Sequence, residues 1–136
     1  MAGTALADSG FLVALLRRGD DHSGWAEAQA AQFARPWHTC EAALSESFFL
    51  LGVTGVPALL ALLQREAVVV SLELGKNLTP VLALMQKYRN VPMSLADACL
   101  VRMTELLPDP VILTTDGDFA IYRRHGRQVI PRVTPS

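Results

Sequence analysis

The sequence has few cysteines and no excess of positive charge, and each of these two features argues against a class of protein. Two cysteines, Cys40 and Cys99, are too few and too isolated in sequence for a disulfide framework or a zinc site. A net charge of −1 argues against a generally basic, nucleic-acid-coated protein. No uninterrupted apolar run reaches the roughly 18 residues that a bilayer-spanning helix needs. The N-terminal segment lacks a basic stretch, so we expect no signal peptide, no membrane association and a reduced, cytoplasmic protein.

Apolar residues are abundant, and they occur in short runs. Of the 136 residues, 51% are hydrophobic and 18% are charged, which favours a single domain with a well-buried interior. Several runs are β-branched and bounded by turn residues, as is typical of strands in a parallel sheet. The predicted strands are Thr4–Asp8, Trp37–Cys40, Ala67–Leu72, Val111–Thr115 and Gln128–Pro131.

Helical segments separate these runs and fix the expected fold class. Strands that alternate with helices predict an α/β domain over residues 1–136, with about five parallel strands and helices on both faces. If the chain winds outward through strands two and three and then returns across the first, the first and fourth strands become neighbours. The predicted helices are Gly10–Arg18, His22–Ala34, Glu41–Leu51, Pro57–Arg65, Leu78–Tyr88, Ser94–Leu107 and Asp118–Arg124, with a turn at Gly52–Gly55.

Two of the predicted strands end in aspartate. Asp8 closes the first strand, and Asp116 closes the fourth and is followed by Asp118. In open α/β sheets, ligands bind beyond the carboxyl ends of strands where the strand order reverses, so Asp8 and Asp116 are expected to flank that point. Each also has a simpler interpretation, because aspartate commonly caps a helix or starts a turn. Capping is the favoured role of Asp118.

Two further acids, Glu46 and Asp97, lie in helices that are apolar almost all round. A buried carboxylate costs several kcal/mol unless it is paired, hydrogen-bonded or bound to a metal. For Glu46 the alternative is a structural salt bridge, and for Asp97 it is a capping interaction with Ser94. Glu41 begins its helix and points well away from Glu46, which makes it peripheral.

The acids considered together favour a divalent cation. Like charges in one pocket repel one another and raise their pKa values, whereas a bound cation keeps them ionised. Because the candidate ligands offer only oxygen, Mg²⁺ or Mn²⁺ is preferred to zinc or copper.

The basic residues and histidines give less evidence about function than the acids do. His22, His38 and His125 are scattered, and we identify no Ser–His or Cys–His nucleophile pair in the sequence. Arg17 and Arg18 form one basic pair. Three arginines after the fourth strand are candidate phosphate contacts, with a solvated helix face as the equal alternative. These three are Arg123, Arg124 and Arg127.

With these motifs, the chain resembles the PIN-domain ribonucleases, in particular the toxins of VapBC-type toxin–antitoxin pairs. The resemblance rests on four segments in order: the early strand ending in Asp8, TCEAALSE ending in Glu46, LADA containing Asp97, and TTDGDF containing Asp116 and Asp118. It implies a PIN-like fold and an endoribonuclease dependent on Mg²⁺ or Mn²⁺, with Asp8, Glu46, Asp97 and Asp116 catalytic. The implied metal ligands are Asp8, Asp97 and Asp116, and Asp118 is an accessory acid.

The resemblance also implies partners: an RNA substrate, a cognate antitoxin protein and a second copy in a homodimer. Two other interpretations remain at this point. A catalytically silent PIN-like domain would act as a binding or regulatory module. A receiver-type phosphoacceptor domain is also small and doubly wound, but it requires paired acids after the first strand and a lysine after the last. Asp8 is followed by Ser9 and Gly10, and no lysine follows Lys87.

Overall fold

The computed structural model describes residues 3–136 and contains a parallel sheet between two layers of helices. Short 3₁₀ turns at Leu74–Lys76 and Gly117–Ala120 complete the regular structure. The strands are β1 Thr4–Ala7, β2 Trp37–Thr39, β3 Val68–Val70, β4 Pro110–Leu113, β5 Arg123–Arg124, β6 Gln128–Val129 and β7 Arg132–Val133; the helices are α1 Ser9–Leu16, α2 Ser23–Gln32, α3 Glu41–Gln64, α4 Leu78–Lys87 and α5 Leu95–Leu106.

The strand order confirms the predicted topology. Five strands form one sheet in the order β3-β2-β1-β4-β7, and every neighbouring pair in it is parallel. β1 and β4 pair in register from Thr4 opposite Pro110 to Ala7 opposite Leu113, so they end side by side. The chain therefore reverses its winding direction between β1 and β4, and the residues that follow these two strands meet at one edge.

The core is divided by the sheet into two layers. Along β1, Ala5 and Ala7 face the layer that contains α1, α2 and α3, whereas Leu6 faces the layer that contains α4 and α5. This alternation is what a strand buried on both sides requires. In the first layer Phe11 packs edge-on against Trp37, with ring centroids 5.3 Å apart.

The predicted helix over residues 118–124 is wrong. After the 3₁₀ turn, the chain forms a hairpin in which β5 and β6 pair antiparallel. His125 and Gly126 both adopt positive φ, 50° and 80°, which closes the hairpin and is incompatible with a continuing helix. The predicted strand 128–131 is also displaced, because Gln128–Val129 belongs to this hairpin and Arg132–Val133 supplies the fifth strand of the sheet.

The two helices predicted at Glu41–Leu51 and Pro57–Arg65 are joined into one element. α3 is interrupted at a single residue, Gly52, whose φ of 67° and ψ of −170° produce a kink. Within residues 3–136, α3 is the one helix long and apolar enough to cross a membrane by length and composition. Core helices meet the same criterion, and Leu44, Leu51 and Leu59 of α3 are buried against the sheet layer.

Candidate functional site

A cavity of about 360 Å³ lies at the carboxyl edge of the sheet, where β1 and β4 end. α1 and α3 approach it from one face of the sheet, and α5 approaches it from the other. We call it the acidic pocket, because all five predicted acids line it: Asp8, Glu46, Asp97, Asp116 and Asp118. Its lining also includes Ser9, Gly10, Leu50, Pro92, Ser94 and Thr115.

Asp8 lies at the bottom of the acidic pocket and is 5% exposed. It caps α1 by accepting a hydrogen bond from the Ser9 backbone N–H at 2.8 Å, as its simpler interpretation predicted. Its second oxygen accepts a hydrogen bond from the Thr114 hydroxyl. Burial nevertheless raises the pKa of Asp8 to about 7, and neighbouring Asp97 and Glu46 add to the rise. Both roles of Asp8, as a helix cap and as a pocket acid, are therefore met by one side chain.

Thr114 connects the two strand-end aspartates and was missed in the sequence. Its fully buried hydroxyl donates to Asp8, and its oxygen accepts the Asp116 backbone N–H at 2.9 Å. Asp116 in turn accepts the Asp118 backbone N–H at 2.8 Å and caps the following 3₁₀ turn. The cap is thus Asp116 rather than Asp118. The sequence signal for this role was a hydroxyl residue at the end of a buried strand, two residues before an aspartate.

Asp97 reaches the acidic pocket from the first turn of α5. It is 8% exposed, and burial raises its pKa, with a further rise from Asp116. Ser94 and Asp97 form a reciprocal capping box, because the Ser94 hydroxyl accepts the Asp97 N–H and the Asp97 carboxylate accepts the Ser94 N–H. The capping interpretation is therefore correct for this residue as well, without removing it from the pocket.

Glu46 was predicted to be buried, and the structure shows that it is exposed. The face of α3 that carries it is exposed, and Phe49 on the same face is 84% exposed. Glu46 lies at the rim of the acidic pocket and accepts a hydrogen bond from the Ser9 hydroxyl. The sequence analysis assumed that Glu46 is buried because apolar residues surround it on the helix. That assumption is wrong, because those apolar residues are not buried either. Glu41 is exposed and does not line the pocket, as expected.

Close contact between α1 and the loop after β4 holds the two strand ends together. A β-carbon added at Gly10 would lie 2.1 Å from the Thr115 hydroxyl oxygen. Only glycine permits this approach, which brings the Asp8 turn against the Asp116 turn.

Oxygen is the only ligand atom that the five acids offer, and this chemistry fits Mg²⁺ or Mn²⁺. The raised pKa values of Asp8 and Asp97 fit the same interpretation, because a cation would offset the electrostatic cost of ionising them. In residues 3–136 no three ligand side chains surround a single point as they stand.

A second cavity, which we call the basic pocket, is lined by Leu16, Arg17, Arg18, Leu51, Thr54 and Gly55 and has a volume of about 540 Å³. It lies between the end of α1 and the kink of α3, the same two helices that border the acidic pocket. Arg17 donates to the Leu50 carbonyl at 2.8 Å, and the Leu50 residue also lines the acidic pocket. The two pockets are therefore neighbours along the α1–α3 groove.

The three arginines of the hairpin, Arg123, Arg124 and Arg127, differ in whether their side chains are bonded to the protein. Arg123 donates to the carbonyls of Ala120, Ile121 and Tyr122, and Arg124 donates to the carbonyl of Thr104. These bonds hold the hairpin against the 3₁₀ turn and α5. Arg127 is exposed at the hairpin.

Two contacts were not foreseen in the sequence. His38 and Ser71 form a hydrogen-bonded pair at 2.5 Å, and neither residue lines the acidic pocket. Burial lowers the pKa of His38. Cys40 and Cys99, isolated in sequence, are buried in the same core layer, and the neighbouring Cys99 thiol together with burial raises the pKa of Cys40.

In comparisons with known proteins, no family model and no curated protein matches this chain.

Proposed function

We propose that the chain is an endoribonuclease dependent on Mg²⁺ or Mn²⁺, with its catalytic centre in the acidic pocket. The observation that carries this proposal is the convergence of Asp8, Asp97 and Asp116 from three separate chain segments at the reversal point of the sheet. Structural capping alone explains each residue, but it does not require three carboxyl groups to share one pocket. The resemblance to PIN-domain toxins, stated above from the sequence motifs, points to the same chemistry.

In this mechanism Asp8, Asp97 and Asp116 would hold the cation, and Asp118 would assist from the rim. When bound, the cation lowers the pKa of a coordinated water and offsets the negative charge that develops on the phosphodiester. Thr114 fixes the orientation of Asp8 and supports the turn at Asp116. Glu46 is more exposed, and with one carboxylate oxygen held by the Ser9 hydroxyl its other oxygen is available to accept a proton from water.

The basic pocket would bind the RNA backbone on one side of the cleavage site. Arg17 is held in place by the Leu50 carbonyl and by an ion pair with Asp20 at 3.6 Å, and Arg18 is exposed. An α1 helix of eight residues separates Asp8 from Arg17, a distance of about 12 Å along the helix axis. We favour Arg18 over Arg123 and Arg124 as a phosphate contact, because Arg18 is exposed, whereas the other two arginines donate to main-chain carbonyls. Arg127 remains a candidate.

The proposal includes growth inhibition that a cognate antitoxin relieves, and a homodimer. Support for a protein-binding surface comes from the exposed apolar face of α3, where Phe49 is 84% and Val53 is 93% exposed. Soluble proteins rarely leave large apolar patches uncovered.

The test of this function is cleavage of defined structured RNAs by the purified protein and by Asp97→Asn. The proposal predicts cleavage by the wild-type protein with Mg²⁺ or Mn²⁺, and a loss of at least a hundredfold in Asp97→Asn with the fold retained. Asp21→Asn is the matched control, because Asp21 is exposed and outside the acidic pocket, and it should cleave at the wild-type rate.

An Asp97→Asn protein that cleaves normally would contradict the assigned site. Metal and RNA binding without cleavage of any RNA would favour the silent PIN-like module instead.

A further inference from the structure

Tyr122 is a buried side chain that the sequence motifs do not include, yet it contacts the acidic pocket from behind. Its side chain is fully buried, and its hydroxyl donates a 2.9 Å hydrogen bond to Oδ2 of Asp97. Burial and this bond to Asp97 raise the pKa of Tyr122, so the phenol remains a proton donor at neutral pH. The interaction joins the segment after the 3₁₀ turn to α5.

The Tyr122 ring is fixed by other aromatic rings. Its centroid lies 5.1 Å from that of Tyr88 and 5.3 Å from that of Phe119, both in edge-to-face arrangements. Such contacts restrict rotation of the ring and so fix the direction of its hydroxyl. The Tyr88 hydroxyl is engaged elsewhere, because it accepts the Arg123 backbone N–H at 3.0 Å.

The bond distinguishes the two carboxylate oxygens of Asp97. Oδ2 accepts both the Tyr122 hydroxyl and, at 3.4 Å, the Ser94 N–H. Within residues 3–136, Oδ1 accepts no side-chain or capping bond. One oxygen is therefore held by the protein, and the other remains for a ligand in the acidic pocket.

We propose that Tyr122 is a positioning residue that holds Asp97 with Oδ1 available to a divalent cation, and that it thereby sets the affinity of the acidic pocket for Mg²⁺ or Mn²⁺. The inference rests on the proposed function. Groups that hydrogen-bond to metal ligands orient them, and their removal typically costs 10- to 100-fold in metal affinity. A purely structural tyrosine would leave that affinity unchanged.

The experiment compares Tyr122→Phe with Tyr88→Phe by titration calorimetry with Mn²⁺ in the absence of RNA. Both variants lose one hydroxyl from the same aromatic cluster and keep the ring, but only Tyr122 contacts Asp97. We expect the dissociation constant for Mn²⁺ to rise at least tenfold in Tyr122→Phe and to stay within twofold of wild type in Tyr88→Phe. Asp97→Asn provides the reference for loss of the site, and thermal unfolding of each variant verifies the fold.

Three outcomes would overturn the inference, and they separate it from the proposed function. Unchanged Mn²⁺ affinity in Tyr122→Phe, with weak binding in Asp97→Asn, would remove the positioning role and leave the metal site intact. Equal weakening in Tyr122→Phe and Tyr88→Phe would assign the effect to cluster packing. Wild-type protein that binds no Mn²⁺, or binds it equally well as Asp97→Asn, would contradict both the positioning role and the proposed metal site.

Discussion

Asp8 illustrates how burial converts a single carboxyl group into a source of pH dependence. Its pKa of about 7 in the folded protein exceeds the ordinary value of 3.8, so the folded state binds a proton more tightly than the unfolded state does. The contribution of Asp8 to the free energy of unfolding is therefore largest below about pH 4 and is lost as the pH rises to about 7 and above.

Replacing Asp8 by Asn removes this pH-dependent cost. In the presence of EDTA, we expect Asp8→Asn to increase the free energy of unfolding at pH 8 by on the order of 2 kcal/mol, with little gain at pH 4. Urea denaturation across this pH range measures the effect. Asp21→Asn, at an exposed site, should show no such pH-dependent gain. A stability difference that does not vary with pH would contradict the account of Asp8.

Other residues show where sequence reasoning succeeds and fails. The position of Asp8 and Asp116 beyond two buried strands was predictable, because strand ends follow from apolar runs and their terminating residues. The exposure of Glu46 was not, because a helix with apolar residues on all faces does not specify which face packs on the core. Tyr122 and Thr114 were missed because their roles arise from tertiary contacts with Asp97 and Asp8.

At the level of elements, the approach of α1 to the loop after β4 depends on Gly10. We expect Gly10→Ala to lower the free energy of unfolding by roughly 1–3 kcal/mol, because the new methyl group would overlap the Thr115 side chain. Gly24→Ala is the matched control, since Gly24 lies in α2 with open space around the added β-carbon. That variant should gain up to about 1 kcal/mol from its higher helix propensity.

Chemical denaturation of both glycine variants measures this difference. Equal effects of the two substitutions would mean that the close contact at Gly10 is unimportant for stability.

The hairpin after the 3₁₀ turn shows why element boundaries were harder to predict than element order. The segment from Phe119 to Arg124 contains apolar and basic residues at spacings that a helix also tolerates. In the structure the chain instead turns back at His125 and Gly126, which both have positive φ. Gly126 is a turn residue that the sequence shows, but its conformation depends on the pairing of β5 with β6.

Across the whole molecule, the parallel topology was predictable from the alternation of strands and helices together with right-handed crossovers. That topology brings Asp8 and Asp116 together, and it explains why the main features of the acidic pocket followed from sequence. The basic pocket was not predicted, because it forms where α1 ends beside the kink of α3 at Gly52.

The basic pocket gives a prediction about the salt dependence of RNA binding. In an Asp97→Asn background, which the proposed function expects to be inactive, Arg18→Ala should weaken binding to single-stranded RNA. It should also reduce the slope of log affinity against log salt concentration by about 0.7, the value for one lost phosphate contact. Fluorescence anisotropy measures both quantities. Arg65→Ala, at the exposed end of α3, is the control and should leave the slope unchanged.

An identical slope in the Arg18→Ala and Arg65→Ala proteins would exclude the basic pocket from the proposed RNA-binding surface.

The most direct measurement of the central claim is removal and restoration of the divalent cation during RNA cleavage. Purified wild-type protein is assayed on one structured RNA with Mn²⁺, then with excess EDTA, and finally with Mn²⁺ added beyond the EDTA. We predict cleavage that EDTA abolishes and that Mn²⁺ restores, with no restoration in Asp97→Asn. Cleavage that persists in EDTA, or that Mn²⁺ restores equally in Asp97→Asn, would contradict a metal-dependent nuclease centre in the acidic pocket.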